Sequence, residues 1–280
     1  MAPKILKQFC RRPNLSSELE GNPPLRLLAK WIDEAKRIVV LTGAGISTDS
    51  GIPDFRGPNG LWTKNPKAEK ASNIQNFIND KEVRKASWRS RLDSRSWSAE
   101  PNKGHEALVQ LERNNKLVLL ITQNVDGLHH QAGSNPEKVV EIHGTLREVA
   151  CLSCDYRDDM KVALDRIRSG EEDLDCPNCG GILKSATISF GQSLVLEDLT
   201  RAEAAAQSCD LFMAVGTTLG VYPIAAVLPS AKSAGAKIAV VNGEPTEMDH
   251  LADLAIRGSI SEVMPFVVNG EKNLPKSAEM

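Results

Sequence analysis

The chain has 280 residues, with 34 basic against 36 acidic side chains and a formal net charge of -2. That length can bury a full core in one large domain or two unequal ones. The near-neutral balance gives no global reason to expect a nucleic-acid or membrane-surface protein, although local basic patches stay open. No apolar stretch approaches the roughly 18 residues of a membrane span and the N-terminus lacks a signal-peptide apolar core, so the chain reads as soluble, intracellular and cytoplasmic.

Residues 1–22 read as an N-terminal extension. Lys4, Lys7, Arg11 and Arg12, with no acid among them, are faintly like a transit peptide, but the stretch is short. PPLRLLAKWIDEAK, residues 23–36, begins with proline and places Leu25, Leu28, Ile32 and Ala35 on one face, which predicts a core-packing helix. The apolar run Arg37-Ile38-Val39-Val40-Leu41 then feeds Gly43-Ala44-Gly45, the start of a phosphate-cradling turn. A Rossmann helix should follow. Instead Gly51, Pro53, Gly57 and Pro58 interrupt any helix within two turns, with Asp54-Phe55-Arg56 among them, so a long non-helical loop is expected. Residues 63–103 are polar and poor in β-branched side chains, with Trp88 and Trp97 as isolated anchors, and read as a helical insertion.

HEALVQLE reads as helix, KLVLLIT (116–122) as a strand buried on both faces, and KVVEI (138–142) as a shorter strand. Beyond a cysteine-containing region come helix EDLTRAEAAAQS, strand LFMAVG, helix PIAAVLPSAKSAG, strand KIAVVN, the segment ADLAIRG and a last helix near 260–268. This alternation predicts an α/β fold, a Rossmann-like doubly wound parallel sheet that binds its ligand beyond the carboxyl ends of the strands. Three such ends are polar or glycine-rich: TGAGIS, TQNVDG and VGTTLG.

Each motif has a plainer reading beside it. GxG is weak alone, the third fingerprint position is Thr48, and the acid expected about 20 residues on is missing; its place directly after a buried-type strand is what favours phosphate binding. The absence of GxxxxGK disfavours a P-loop hydrolase. Gln123, Asn124 and Asp126 could form a capping turn with Asp126 as N-cap, or grip a ribose and an amide. Among five histidines, His129 and His130 read as a partly exposed helix start. His143 ends a strand before Gly144, at the edge where an imidazole could serve as general base.

Six cysteines include two CxxC pairs, Cys151/Cys154 and Cys176/Cys179, with Cys10 and Cys209 alone. Each CxxC turn aims two thiolates at one point and a second turn completes a tetrahedron. Zinc is favoured over an iron-sulfur cluster or free thiols. Four thiolates leave no position for water, so the metal is expected to be structural, one Zn2+ per chain.

GAGISTDSGIPDFRGPNGLW, TQNVDGLH, EIHG, the CxxC pairs, ISFG, GTTL and VNGEPT stand in the order seen in sirtuins, and over residues 24–268 the chain resembles that family of NAD-dependent protein lysine deacylases. The resemblance implies transfer of an acyl group, most simply acetyl, from a lysine of a protein or peptide to ADP-ribose with release of nicotinamide. Mono-ADP-ribosylation or NAD hydrolysis in the same pocket is the alternative; a dehydrogenase and a non-catalytic NAD sensor are more distant rivals. No membrane partner and no sequence-specific nucleic-acid binding are expected. The resemblance also implies roles. Gly43, Ala44 and Gly45 would cradle phosphate and Ser47 would be among the cofactor-binding residues; Asp54, Phe55, Arg56 and Trp62 would form the cofactor loop. Gln123 and Asn124 would orient ribose, Asp126 the carboxamide. Gly216, Thr217 and Thr218 would make a second phosphate and ribose site, with Asn242, Glu244 and Ile260 near the adenosine side. His143, with Asn124, would be catalytic, and Ile188, Ser189, Phe190 and Gly191 would pair with the substrate as an added strand.

The implied domains are a Rossmann-like NAD-binding domain of 23–55, 104–143 and 187–268, a cofactor loop and helical insertion of 56–103, a zinc-ribbon module of 144–186 and a tail of 269–280. Two departures bear on substrate. Gln192 follows Phe190-Gly191 where the family often has glutamate, and Ala186-Thr187-Ile188-Ser189 lacks its usual proline and valines. The Tyr and Arg pair that admits acidic acyl groups in one branch is absent from Thr63 to Gln75, so acetyl or aliphatic acyl groups are expected ahead of succinyl.

Overall fold

The computed structural model describes residues 22–57, 60–65 and 72–269; all of the extension but Asn22, and all of the tail but Asn269, lie outside these. Helix α1 (Pro23–Glu34) begins where the Asn22 side chain accepts the Leu25 amide and proline occupies the first turn, and it buries Leu25, Leu28 and Ile32. Proline costs nothing there because its missing N–H would have had no helical partner. Strand β1 (Ile38–Thr42) is buried throughout. It splits its side chains by the two-residue period of a strand: Ile38 and Val40 go to one core, Val39 and Leu41 to the other.

Five further strands join β1 in one parallel sheet: β2 (Leu117–Thr122), β3 (Val139–Glu141), β7 (Leu211–Val215), β8 (Lys237–Val241) and β9 (Leu254–Ile256), in the order β3-β2-β1-β7-β8-β9. Helices α1, α5 (Lys103–Arg113) and α10 (Ile260–Asn269) cover one face; α8 (Leu196–Ser208) and α9 (Val227–Ser233) cover the other. Both faces being covered explains why β1, β7 and most of β2 read as unbroken apolar runs. The chain leaves β1 toward β2 on one side, while β7 continues to β8 on the other. The carboxyl ends of β1 and β7 therefore open a crevice where the strand order reverses.

A second, antiparallel sheet is ordered β5-β4-β6, from β4 (Gly144–Cys151), β5 (Arg157–Asp159) and β6 (Leu183–Thr187), with helix α7 (Met160–Arg168) against it. Helix α4 (Lys81–Leu92) of the insertion packs on this module: Trp88 shares a core with Val149, Met160, Leu164 and Leu183. Arg84 closes the contact with a forked ion pair to Asp173 at 2.8 Å. The insertion and the cysteine module, separate in sequence, thus share one small core. Two shorter insertion helices, α2 (Leu61–Lys64) and α3 (Ile74–Asn79), border the crevice.

The loop after β1 is not wholly without helix. Residues Ala44–Ser50 wind as a 3-10 helix and stop at Gly51, whose φ of +84° ends the turn. Among the described residues no helix is long and apolar enough to cross a membrane.

Candidate active site

A cavity of about 1720 Å³ fills the crevice and runs between the two sheets. At its upper edge the ends of β1 and β7 meet backbone to backbone, with the Gly45 amide donating to Gly216 O at 2.8 Å. A Cβ on Gly43 would stand 2.7 Å from Gly216 O, and one on Gly216 only 2.4 Å from Ile46 N. Only glycine fits, and the gain is backbone that a large anion can approach closely. Gly43, Ala44, Gly45, Gly216, Thr217 and Thr218 all line this end, as do Asn242, Glu244 and Ile260.

The polar residues at the end of β2 are tied to that loop. Asn124, buried, donates from Nδ2 to Gly43 O and Ser47 Oγ at 3.2 and 3.1 Å. Ser47 in turn donates to Asp126 Oδ2 at 2.8 Å, while Asp126 Oδ1 receives the Leu128 amide at the start of helix α6 (Leu128–Gln131). Asp126 therefore caps and lines the cavity at once. Ser47, expected among the cofactor-binding residues, does not line the cavity and instead joins Asn124 to Asp126. Gln123 spans three strands, donating to Thr42 O at 3.3 Å and Thr217 Oγ1 at 2.8 Å, which leaves its Oε1 as the free end of the amide.

His143 stands where the cavity passes from one sheet to the other. Its Nδ1 lies 3.1 Å from Gln123 O. A carbonyl only accepts, so Nδ1 carries the proton and Nε2 keeps a lone pair. Burial lowers its pKa below 6.5, and the bond to Gln123 offsets only part of that, so the ring is neutral at pH 7.

The cofactor-loop residues form an aromatic wall. Phe55 and Trp62 lie 4.7 Å apart, Trp62 and Phe190 5.6 Å, and the Arg56 guanidinium sits 4.6 Å over Trp62. Asp54 closes the loop by accepting the Gly57 amide.

One expectation needs correction. His129 is not partly exposed: it is 2% exposed, bonded to Thr42 Oγ1 at 3.0 Å and packed on the buried His105, because α6 turns its first residues inward under the sheet. Along Ile188–Gly191, the segment expected to pair with substrate, several backbone groups already have partners. The Ile188 amide donates to His143 O, that of Ser189 to Gln192 Oε1, and Phe190 exchanges both backbone bonds with residues 72–74. The Ser189 and Phe190 carbonyls also accept, from the Gln192 and Ile74 amides, so the Ile188 carbonyl and the Gly191 backbone are what this segment leaves for a peptide.

Sequence reading also missed residues. Arg91 and Lys184 line the cavity from α4 and β6, and only the packing of the insertion on the antiparallel sheet puts them there. A basic residue in a polar helix such as α4 carries no signal that it faces inward.

Beyond the cavity, the Sγ atoms of Cys151, Cys154, Cys176 and Cys179 all lie within 4.8 Å of one another, with Cys151–Cys179 at 3.6 Å and Cys154–Cys176 at 3.7 Å. Tetrahedral zinc with bonds of about 2.3 Å requires sulfur separations of about 3.8 Å. The cluster fits a structural zinc site.

Fold and cavity together define a dinucleotide-binding α/β protein with a four-thiolate module beside its switch point. The chain belongs to the Sir2 family, whose model matches residues 43–223. It is 47% identical over 233 residues to NAD-dependent protein deacetylase 2 of Streptomyces coelicolor, covering 83% of this chain and 97% of that one. It is 40% identical over 251 residues to the NAD-dependent protein deacylase of Thermococcus kodakarensis, covering 88% and 95%. A solved Sir2 structure with a deacetylated p53 peptide and 3'-O-acetyl ADP ribose matches with a TM-score of 0.80 at 30% identity, over 89% of this chain and 98% of that one. A Sir2 complex with p53 peptide and NAD+ gives 0.77 at 30% identity, over 86% and 95%.

Proposed function

We propose that this protein is an NAD-dependent protein lysine deacylase, most simply a deacetylase, that moves the acyl group of an acyl-lysine protein or peptide to ADP-ribose and releases nicotinamide. The observation that carries the reading is His143: a half-buried, neutral imidazole whose Nε2 is left as acceptor in the cavity joining the β1/β7 crevice to the antiparallel sheet. Bound NAD would supply an electrophilic ribose carbon, its nicotinamide leaving as a neutral molecule that needs no acid.

This chain's residues then have distinct tasks. Gly43, Ala44, Gly45 and Gly216 give the phosphates close backbone approach, and Thr217, Thr218, Asn242, Glu244 and Ile260 line the nucleoside side. Asn124, anchored through Nδ2, would keep Oδ1 to accept from a ribose hydroxyl. Asp126 is held rigid by Ser47 and the Leu128 amide. His143 Nε2 takes a proton from a ribose hydroxyl, making that oxygen a nucleophile. Phe55 and Trp62 keep water from the reacting carbon. Zinc organises the cysteine module and takes no part in the reaction. Cysteines gathered as metal ligands and not paired as disulfides suit a reducing compartment, and the cytoplasm is the location we propose.

The test is mass spectrometry of acyl-lysine peptides incubated with NAD. Equimolar nicotinamide, free lysine and O-acyl-ADP-ribose are expected. Nicotinamide released at the same rate without any acyl peptide would replace this reading with NAD hydrolysis or ADP-ribosylation.

A further inference from the structure

Asp126 lines the cavity, and its three oxygens are held from different parts of the molecule. Ser47 donates to Oδ2 and the Leu128 amide to Oδ1, both from the parallel-sheet lobe. The backbone oxygen is taken by Arg147 of strand β4, whose Nε and Nη2 donate to it at 3.1 and 2.8 Å. The Leu146 amide beside it donates to Val125 O at 2.8 Å, so β4 grips two successive carbonyls of the turn after β2. Gly127 continues that turn at φ +74°, and a Cβ there would stand 3.0 Å from Arg147 Nε. The guanidinium lies directly against the turn.

The same guanidinium reaches the insertion. Its Nη2 also donates to Ser96 O at 3.3 Å, and its Cζ sits 5.4 Å from the centre of the Trp97 ring. Ser96 and Trp97 belong to the 3-10 turn Arg95–Trp97 that follows α4, and Trp97 Nε1 ties this turn back to Arg91 O at 2.6 Å. Ser96 lines the cavity, as Asp126 does; Arg147 does not. One half-buried side chain therefore fixes two walls of the cavity against each other from outside it, across 21 and 51 positions of sequence.

That task suits arginine and not lysine. A planar fork can serve two carbonyls while its face lies over an indole, whereas an ammonium offers neither the fork nor the stacking plane. Ser47 and Leu128 fix the Asp126 carboxylate within its own lobe. Among the described residues, Arg147 is what joins Asp126 by hydrogen bonds to the insertion and the cysteine module.

We propose that Arg147 is a positioning residue for the nicotinamide end of the cofactor: it registers the Asp126 turn against the insertion, so that the Asp126 carboxylate meets the carboxamide between the two lobes. The proposal rests on the deacylase reading and on the carboxamide role expected of Asp126.

Full-length protein is assayed with acetyl-lysine peptide and NAD, with nicotinamide and ADP-ribose as inhibitors, because ADP-ribose keeps the diphosphate and both riboses and lacks only the nicotinamide. In Arg147→Met the KM for NAD and the inhibition constant of nicotinamide should both rise about tenfold, the loss of one charge-assisted hydrogen bond. The inhibition constant of ADP-ribose and the KM for peptide should change by less than about twofold, since no contact of theirs runs through the Asp126 carboxylate. Arg147→Lys, with the charge and without the fork, should fall between wild type and Arg147→Met. Zinc content and thermal midpoint report that each variant is folded. A general loosening would weaken NAD and ADP-ribose together; that result, or unshifted NAD and nicotinamide constants in folded Arg147→Met, overturns the proposal while leaving deacylation intact. Should Arg147→Met not fold, Arg147→Lys is read by the ratio of the nicotinamide to the ADP-ribose constant, and an unchanged ratio overturns it. No turnover of acetyl-lysine peptide by the wild type removes the deacylase reading, and the role of Arg147 with it.

Discussion

At His143 two effects decide which nitrogen is available and over what pH range. The Gln123 carbonyl fixes the proton on Nδ1, and burial keeps the neutral ring favoured below its ordinary pKa of 6.5. His143→Ala should reduce deacylation by about 10²–10⁴-fold while NAD affinity, measured by calorimetry, changes only a few-fold. Comparable turnover would end its assignment as base. Because the base is the unprotonated form and its pKa is lowered, kcat/KM should be flat from pH 7 upward and fall only below pH 6.5. An acidic limb centred above 7 would contradict that. These roles could be placed on His143, Asn124 and Asp126 from motif order. The place of Ser47 could not, because its bonds to Asn124 and Asp126 cross 77 and 79 positions of sequence.

At the scale of elements, the turn after β1 and the end of β7 depend on each other. Gly216 has φ +66°, and a Cβ there would collide with the Ile46 amide, so Gly216→Ala cannot relax by moving a flexible side chain. NAD affinity should fall more than tenfold and stability by about 1–3 kcal/mol. A variant binding NAD normally would show that the close approach of these two loops is unnecessary. The cysteine module is held from inside by its metal and from outside by α4. Cys176→Ser should lose stoichiometric zinc, measured by metal analysis, with a loss of protease resistance across 144–187. Full metal retention would rule out a four-thiolate site. Both elements were legible as sequence motifs, whereas the joint core around Trp88 was not: one tryptophan in a polar stretch does not say which module it enters.

At the scale of the whole molecule, acid should loosen the parallel-sheet lobe. His105 Nδ1 accepts the Asn102 amide at the start of α5, so its other nitrogen holds the proton; burial lowers its pKa from 6.5 to about 4. His129, also fully buried, is lowered well below 6.5 by burial, then by His105 and His130. In both cases the unfolded state takes up protons first as pH falls through 6.5, so stability present at neutral pH is lost on the way down to 4. For His105 alone the loss between pH 6.5 and 5 is about 2 kcal/mol. The thermal midpoint should drop several degrees over that interval; an unchanged midpoint would mean these rings already accept protons in the folded protein.

Sequence by itself determined the alternating strands and helices, the glycine turn at 43–45, the tetrahedral thiolates and the family, because each is written in local spacing: a period of two or 3.6, a CxxC turn, a run of small residues. Tertiary structure alone decided that His129 is buried, that Ser47 supports the cavity without lining it, that Phe190 is already paired, and that Arg91 and Lys184 share a wall. Those facts depend on which distant segments meet. Contacts between distant segments follow from burying two sheets' worth of apolar surface together, and no single stretch of chain encodes that.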